Sequence, residues 1–497
     1  MLKGFTRRFK PLELLTQEQV EDIHRATLDV LRETGAKFDS TWALDFLKAN
    51  GCAVDFEAKR VRFPESLIEE SLRKCPSSFR IRARDPKNDL VMGANTVYFS
   101  NAAGMRTVDM DTLEPRPATK AEFIDWVRVM DALPNLHWVN QYPYFGFQGA
   151  PPVMAITEGL ALKIRYCSKQ MVEGYSNDCE MFNIRLVQAT GGELWVGAAC
   201  QAPLAWSNDA VLAVRRTIEA GFPVGVVDGN AYGATAPATL AGSLVVCNAE
   251  LMSMIVLVQL LSPGHRIRAG HFAFPQDMRS GSPAFGDIGC SISNVMFNQM
   301  WRRYGVPMSN GLPGYPSSKS IDYQTGYEKG MAALASAISG ASLICFQGGV
   351  SGELSAHPVQ GILDDDVAGM VGRFIEGAEV NDETLALELI EEVGPVPGHY
   401  LNKAHTRKWW KGEQYVPAVA DRLSYPEWLR TGKKKAIDYA KERMEQILAT
   451  HKPMPLTAEQ EQTIEDILKE AREYYRAKGL VSEAEWTEYM KALEVAV

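Results

Sequence analysis

Two acidic side chains lie inside otherwise apolar stretches of the sequence, where a buried charge requires a partner. Glu173 lies in KQMVEGYS and Asp228 lies in PVGVVDGN. Because an unpaired carboxylate is costly to bury, we expect each one to contact polar groups. One interpretation makes them catalytic residues that face a substrate, and the other makes them structural ion pairs or hydrogen bonds, which perturb carboxylates in the same way.

Aromatic and amide side chains recur at the ends of similar apolar stretches. A quaternary ammonium has no N–H to donate, so that ring faces and carboxylates are the groups that hold it. For any single ring, packing in the core is the competing interpretation. The residues that we predict to contact a substrate in this way are Tyr98, Asn101, Tyr144, Asn230, Phe274, Phe346 and Gln347.

The elements that position these residues follow a regular order. Short β-rich stretches begin at residues 96, 136, 169, 194, 223, 266, 306 and 342, and stretches with helical periodicity lie between them. Eight such units match the size of a TIM barrel. An open doubly wound sheet has the same alternation, but it usually carries a G-x-G-x-x-G turn after its first strand. Since no stretch ends in that turn, we predict the α/β class and a (β/α)8 TIM barrel.

The barrel is predicted to occupy residues 91–395. Residues 1–90 read as an N-terminal helical lead-in, with Thr16 as the N-cap of its first helix. Residues 396–497 read as a C-terminal helical extension packed on the barrel, and its alternating Lys, Glu and Arg residues also allow a homo-oligomer interface. In such barrels the functional groups lie at the carboxyl ends of the strands, where most of the candidate residues occur.

Bulk composition excludes several classes of protein. The net charge is −9 without a basic block, which argues against a nucleic-acid partner. The most apolar stretch, Leu251 to Leu261, is shorter than the roughly 20 residues that span a bilayer, so no membrane association is expected. The first residues lack the apolar core of a secretory signal, and the eight cysteines show no C-x-x-C spacing. We therefore expect a cytoplasmic protein with reduced thiols.

Metal ligands are not evident from the spacing of the eight histidines. None of them forms an i, i+4 pair of the kind that binds zinc on a helix. A zinc site would require Cys200, His271 and Cys345 to meet at strand ends. We predict no bound metal in this chain and keep zinc chemistry as an alternative.

Six strings, taken in order, resemble the trimethylamine methyltransferase superfamily over almost its full length. Any one of them alone is weak evidence, whereas the ordered set is specific. They are DMRSGSPAFGD at 277–287, RRYGVPMS at 302–309, DYQTGYEK at 322–329, GASLICFQGG at 340–349, VPGHYLNKAHT at 396–406 and DRLSYPEWLRTGKKKAIDYAKER at 421–443.

The resemblance implies a TIM-barrel subunit that transfers a methyl group to a corrinoid (cobalamin) carried by a separate partner protein. Founding members carry an in-frame pyrrolysine, which is thought to activate a tertiary amine, and this chain contains none. It therefore resembles the non-pyrrolysine branch, whose substrate is a quaternary amine. Glycine betaine is the first expectation, with carnitine or proline betaine as alternatives. A zinc-dependent methyltransferase and a non-catalytic barrel that binds osmolytes also remain open.

The resemblance adds three residues to the predicted substrate site. Asp322 and Gln324, within DYQTGYEK, follow the seventh predicted strand and are expected to position the substrate, although Asp322 also suits a helix N-cap. A betaine carboxylate needs a hydrogen-bond donor, and His357 is the first candidate, ahead of Arg279, Asn101, Asn230 and Gln347. The competing interpretation of His357 is a loop histidine bonded to the backbone.

Overall fold

A computed structural model of the protein describes residues 3–140 and 142–494. Gln141, in the second predicted β-rich stretch, and residues 495–497 of the predicted extension lie outside the described residues. All eight predicted strands are present. In chain order they are β1 (Thr96–Asn101), β2 (Trp138–Val139), β3 (Gln170–Glu173), β4 (Leu194–Ala199), β5 (Val224–Val227), β6 (Ile267–His271), β7 (Met308–Asn310) and β8 (Leu343–Gln347).

The eight strands form a closed parallel sheet. Each strand pairs in parallel with its neighbour in the chain. The ring closes because β8 pairs in parallel with β1, with Leu343 opposite Tyr98 and Ile344 opposite Phe99. Closure distinguishes a barrel from an open doubly wound sheet and confirms the predicted TIM barrel.

One helix follows each strand and covers the outside of the barrel. The predicted helical stretches match these helices to within a few residues, apart from the loop that precedes α5. The helices are α1 (Lys120–Ala132), α2 (Pro152–Tyr166), α3 (Glu180–Gln188), α4 (Asn208–Glu219), α5 (Leu240–Leu261), α6 (Ile288–Tyr304), α7 (Tyr323–Ser339) and α8 (Pro358–Glu376).

Helix α5 is the most apolar element. It has 22 residues and a mean hydropathy of 2.1, and among the described residues it is the one helix long and apolar enough to cross a membrane. The stretch Leu251 to Leu261, identified above as the most apolar, forms the second half of this helix. In the fold, 78% of its most apolar window is buried, because α5 packs between the barrel strands and the N-terminal helices. The apolar composition is therefore that of a core helix.

The N-terminal lead-in is partly helical, and it also contains short strands that the sequence analysis did not predict. A hairpin formed by Ser78–Ile81 and Leu90–Gly93 covers the amino ends of the barrel strands, where its apolar side chains pack against Trp138 and Trp195. The barrel interior is closed at this end. The other lead-in elements are Phe5–Thr6, Gln17–Asp29, Val30–Thr34, Ala36–Phe38, Thr41–Ala49, Ala53–Asp55, Arg60–Arg62, Glu65–Lys74 and Pro86–Asn88.

Short paired strands lie in the loops at the carboxyl ends of the barrel strands. They order the chain around the open end of the barrel. They are Thr107–Val108, Pro115–Arg116, Ala205–Trp206, Ala231–Tyr232, Phe274–Pro275, Gly349–Val350 and Ser355–Ala356.

The C-terminal extension has two parts. Its last three helices, Ala436–Thr450, Ala458–Ala477 and Glu483–Glu494, bury apolar side chains in the same core cluster as α1, α2 and α3. The four short helices between α8 and these three contain no buried residue, and two of them precede residue 396, where the extension was predicted to begin. The four are Asp382–Leu385, Leu387–Val393, Ala404–Glu413 and Tyr425–Arg430.

Asp366 of α8 attaches the extension to the barrel. Its carboxylate accepts hydrogen bonds from the backbone N–H groups of Ala418 (2.7 Å), Val419 (2.8 Å) and Ala420 (3.1 Å). These residues lie in a segment without regular secondary structure, and the Asp366 carboxylate supplies the hydrogen-bond acceptors that their backbone N–H groups need.

Replacing Asp366 with Ala should detach this segment without unfolding the barrel. Loss of the acceptor leaves backbone donors unpaired, at a cost of about 1–3 kcal/mol. We expect faster hydrogen exchange at residues 418–420 and faster proteolysis between residues 378 and 434. An Asp45→Ala variant, changed at an exposed position, should exchange like the wild type. Unchanged exchange in the Asp366 variant would show that the carboxylate does not hold the segment.

Candidate active site

A cavity of about 220 Å³ occupies the inside of the barrel and reaches the carboxyl ends of the strands. It receives residues from every barrel strand or from the loop that follows it. These residues are Ser100, Trp138, Asn140, Val172, Gly197, Ala199, Val227, Asp228, Gly229, Arg268, Gly270, His271, Phe272, Ser309, Asn310, Gly311, Tyr315, Leu343, Cys345 and Glu353.

Arg268 of β6 places a cation deep in this cavity. Its guanidinium carbon lies 4.8 Å from the ring centroid of Trp195, which belongs to the apolar cluster beneath the cavity. The Nε atom is buried without a hydrogen-bond partner, and no carboxylate of the described residues lies within ion-pair distance of the side chain. Burial lowers the pKa of Arg268 to about 10, as expected for a desolvated cation.

Two glycines provide the space for this guanidinium. A Cβ atom on Gly225 would lie 2.9 Å from Arg268 Nη2 and 2.0 Å from Trp195 Nε1. A Cβ atom on Gly270 would lie 3.2 Å from Arg268 Nη1 and 3.3 Å from the Ser309 hydroxyl oxygen. Neither Gly225 on the neighbouring strand β5 nor Gly270 on β6 itself therefore places a side chain against the guanidinium.

Aromatic rings line the opposite end of the cavity, at its mouth. The ring centroids of Phe272 and Tyr315 lie 5.5 Å apart in an edge-to-face arrangement, and Phe285 packs against both. The Tyr315 hydroxyl accepts a hydrogen bond of 2.9 Å from the backbone N–H of Ala103, which fixes the ring position. Such faces suit a cationic methylammonium group.

Glu353 adds a carboxylate at the same end. It lies in the loop that joins Gly349–Val350 to Ser355–Ala356, and desolvation by the surrounding protein raises its pKa. The cavity thus carries a cation at its floor and a carboxylate and aromatic rings at its mouth.

Asp228, a predicted catalytic residue, has partners for both carboxylate oxygens. His271 Nδ1 lies 2.7 Å from Oδ2, and the backbone N–H of Phe272 donates to Oδ1 at 2.6 Å. The imidazole of His271 stacks on Phe297 of α6 at 4.4 Å, and its Nε2 lies 2.8 Å from the Ser293 hydroxyl. Both side chains are fully buried and connect β5 to β6. The His271 ring packs toward α6, and both residues also border the cavity.

Glu173, the other predicted catalytic residue, forms a buried ion pair with Lys163 of α2. The ammonium also donates to the carbonyls of Val172 (3.0 Å) and Asn140 (3.3 Å). Burial raises the pKa of Glu173 to about 7 and lowers that of Lys163. The pair lies between β3 and its helix, and Glu173 does not line the cavity. Its contacts are those of the structural interpretation.

The predicted amide residues lie behind the cavity wall. Asn101 accepts a hydrogen bond of 2.7 Å from the backbone N–H of Asn140. Asn230 donates to Glu250 at 2.7 Å, and Gln347 donates to the carbonyl of residue 135 at 3.1 Å. None of the three lines the cavity, although Asn101 orders a residue that does.

The predicted aromatic residues occupy four different environments. Tyr98 lies inside the barrel but below the cavity, against the N-terminal hairpin. Tyr144 packs against Phe123 of α1, and Phe346 faces α7 and α8 on the outside of the sheet. Phe274 alone lies near the mouth, where its ring packs behind the Phe272 ring.

The three residues taken from the resemblance lie outside the cavity. Asp322 caps α7 by accepting a hydrogen bond of 3.0 Å from the backbone N–H of Thr325, as its alternative interpretation predicts. Gln324 donates to Glu328 on the same helix at 2.7 Å. His357 caps α8, with Nδ1 accepting from the backbone N–H of Val359 at 3.2 Å. This backbone contact corresponds to the competing interpretation of His357.

Comparison with known proteins identifies the family. The model of the trimethylamine methyltransferase (MTTB) family matches residues 1–147 and 187–474. This chain belongs to the trimethylamine methyltransferase family. It is 30% identical over 457 residues to a glycine betaine methyltransferase of Desulfitobacterium hafniense strain Y51, covering 90% of this chain and 94% of the relative.

Other members of the family are similarly related. A trimethylamine methyltransferase MttB of Desulfitobacterium hafniense strain DCB-2 is 30% identical over 483 residues, covering 94% of this chain and 95% of the relative. Among solved structures, the monomethylamine methyltransferase MtmB of Methanosarcina barkeri superposes with a TM-score of 0.53 at 11% identity, covering 93% of this chain and 88% of that chain. The last comparison supports the barrel fold. The protein is a methyltransferase of this family.

Arg268 was not selected from the sequence. Side chains alternate between the two faces of a strand, and the sequence alone does not show which face of β6 is the interior one. Arg268 and Gly270 face the cavity, whereas the side chains of Ala269 and His271 pack toward the helices, although His271 also borders the cavity. Glu173 lies on the outward side of β3, and Asp228, directly after β5, borders the cavity. The signal that was available is the arginine itself, placed in the apolar stretch RIRAGHF two residues before a glycine.

The geometry also bears on the metal alternative. Cys200, His271 and Cys345, which the sequence offers as zinc ligands, do not form a group. Within residues 3–140 and 142–494, the one group of three with suitable spacing is Asp228, Cys247 and His271, whose ligand atoms lie within 4.8 Å of one another. Burial raises the pKa of the Cys247 thiol well above its usual value, and the Asp228–His271 contact is already a hydrogen bond.

The ion pair of Glu173 and Lys163 should behave as a structural unit. Changing Glu173 to Gln or Lys163 to Met leaves one buried group without its partner, and we expect each single variant to lose about 3–5 kcal/mol of unfolding free energy. The double variant should lose less than the sum of the two, which urea unfolding measures. The exposed pair Arg215–Glu219 is the control, with coupling of about 0–1 kcal/mol. A Glu173→Gln protein of wild-type stability without activity would instead support a catalytic role.

The His357 cap should make stability depend on pH. Burial lowers the pKa of His357 from 6.5 to about 4, so the unfolded state takes up a proton first and stability falls as the pH drops from 6.5 to 4. A His357→Asn variant keeps a capping side chain and should lose less stability between pH 7 and pH 5 than the wild type. A variant of the exposed His399 to Asn serves as the control. Identical pH profiles for the wild type and His357→Asn would contradict this assignment.

Proposed function

We propose that this protein transfers a methyl group from a quaternary amine, with glycine betaine as the first candidate, to the cobalt of a corrinoid on a separate partner protein. Dimethylglycine is then the released product. The observation that carries the proposal is the combination of aromatic rings and the Glu353 carboxylate around the mouth of a cavity of about 220 Å³. Rings and a carboxylate are the groups that hold a cation without N–H donors.

The corrinoid fits this arrangement only from outside. A cavity of about 220 Å³ accommodates a small amine, whereas a corrinoid ring is larger than the space between the strands. When bound at the mouth on its partner protein, the reduced corrinoid supplies the nucleophilic cobalt that accepts the methyl group. No residue of this chain needs to ligate it.

The residues of this chain align the substrate and exclude water. Phe272 and Tyr315 hold the methylammonium group at the mouth, so that one N–CH₃ bond points outward. The amine leaves as a neutral molecule, and no general acid is required. Positive charge leaves the nitrogen in the transition state, so moderate ring contacts assist the reaction better than a tight carboxylate contact. Glu353 at the edge of the cavity is consistent with this requirement.

Two other substrates and two other classes of function remain as alternatives. Carnitine and proline betaine share the quaternary ammonium and carboxylate of glycine betaine. The group of Asp228, Cys247 and His271 would be the place to look for a zinc-dependent methyltransferase. A non-catalytic osmolyte-binding barrel would bind betaines without demethylating them.

The proposal is tested by mass-spectrometric detection of dimethylglycine after incubation of the purified protein with glycine betaine and Co(I) cobalamin. We expect dimethylglycine to form only when both the protein and Co(I) are present. Parallel reactions with carnitine and trimethylamine serve as controls for the substrate. A Phe272→Ala variant should lower kcat/KM about tenfold, equivalent to a cation–π contact of about 1–2 kcal/mol. Phe56→Ala, changed at an exposed ring, should retain full activity. Binding without product when a corrinoid protein is supplied would favour the osmolyte-binding alternative.

A further inference from the structure

We infer that Arg268 binds the carboxylate of the substrate, which restricts this cavity to zwitterionic quaternary amines with the carboxylate at the floor and the methyl groups at the mouth. The inference rests on the proposed function, and it names the group that recognises a betaine.

Arg268 differs from other buried cations of the protein in its lack of a protein partner. Lys163 pairs with Glu173 and Lys329 pairs with Asp364, and Lys169 donates to two backbone carbonyls. For Arg268 the described residues provide no carboxylate and no hydrogen bond. A buried charge without a partner is strongly unfavourable, so that its retention in a cavity is explained by an anionic ligand.

The surroundings of Arg268 are arranged to present it. Trp195 supports the guanidinium from below at 4.8 Å. The guanidinium packs closely against the backbone at Gly225 and Gly270, where a Cβ atom would lie 2.9 Å and 3.2 Å from its nitrogens. Ser309 adds a hydroxyl to the same part of the cavity. A planar guanidinium held in this way matches the two oxygens of a carboxylate.

Arg268 and Glu353, two of the charged residues that line the cavity, also give an orientation. Arg268 lies near the start of β6, and Glu353 lies in the loop beyond the carboxyl end of β8. A betaine with its carboxylate at Arg268 therefore directs its ammonium toward Glu353 and the aromatic rings. An amine without a carboxylate leaves the Arg268 guanidinium unpaired. The free-energy cost of that unpaired group lowers the affinity of the site for such an amine.

Two other candidates for carboxylate binding lie elsewhere. The Arg279 side chain is 91% exposed and pairs with Asp277 in the same loop. His357 caps α8 through the backbone N–H of Val359. Neither residue lines the cavity.

Isothermal titration calorimetry of the purified protein tests the inference with two ligands, glycine betaine and choline, which differ in the carboxylate. An Arg268→Gln variant should bind glycine betaine at least 100-fold more weakly than the wild type and choline with unchanged or higher affinity. Arg268→Lys should recover part of the glycine betaine affinity, because it restores the charge without the planar fork. The matched control Arg279→Gln should bind both ligands as the wild type does.

Thermal unfolding provides a second readout that does not depend on catalytic activity. Removing an unpaired buried charge should raise the Tm of ligand-free Arg268→Gln, and glycine betaine should then raise Tm in the wild type but not in the variant. Equal affinity of the wild type and Arg268→Gln for glycine betaine overturns the inference, as does a wild type that binds choline more tightly than glycine betaine. Arg268-dependent binding of glycine betaine without methyl transfer to a corrinoid protein supports the inference and contradicts the proposed function alone.

Discussion

The parallel pairing of β8 with β1 is the constraint on which the functional geometry depends. It converts eight strands into a closed ring, so that alternate side chains of every strand face one shared interior. The N-terminal hairpin closes that interior at the amino ends of the strands. A small molecule can therefore reach the cavity only from the end where the loops and the aromatic rings lie, which is also the end that a partner protein can approach.

Within this frame, buried charge is distributed in two distinct ways. Glu173, on the outside of the sheet, and Asp228, at the cavity wall, are paired with side chains that link a strand to a helix or one strand to the next. On the inside, Arg268 has no such partner. Paired charges specify how elements pack, whereas an unpaired one stores a free energy that only a ligand of opposite charge releases. The distinction separates structural ionisable residues from those that recognise a substrate.

The family relationship gives this distinction its chemical meaning. Relatives at 30% identity include proteins named for glycine betaine and for trimethylamine. Glycine betaine differs from trimethylamine by a carboxymethyl group on nitrogen, which makes the nitrogen quaternary and adds a carboxylate. A cation at the floor of the cavity can pair with the carboxylate of glycine betaine, whereas trimethylamine has no anionic group for it to bind. Under the proposed function, the choice of substrate within a common barrel depends on a few interior side chains, because function is determined by the site and not by the fold.

Sequence periodicity alone was sufficient to determine the number and order of the barrel strands, and six ordered strings indicated the family, because both are encoded in local patterns. It also supplied the correct alternative for Asp322, since capping depends on neighbours three residues away. The side of the strand on which each residue lies was decided only by the tertiary structure. A shift of one residue in the pattern exchanges interior and exterior, so Glu173 and Phe346 were selected while Arg268 was not. Tyr315 and Glu353 lie in loops after the strands, and only the tertiary structure places those loops around the cavity. Which charges find partners depends on residues far apart in the chain, and only the closed barrel brings those together.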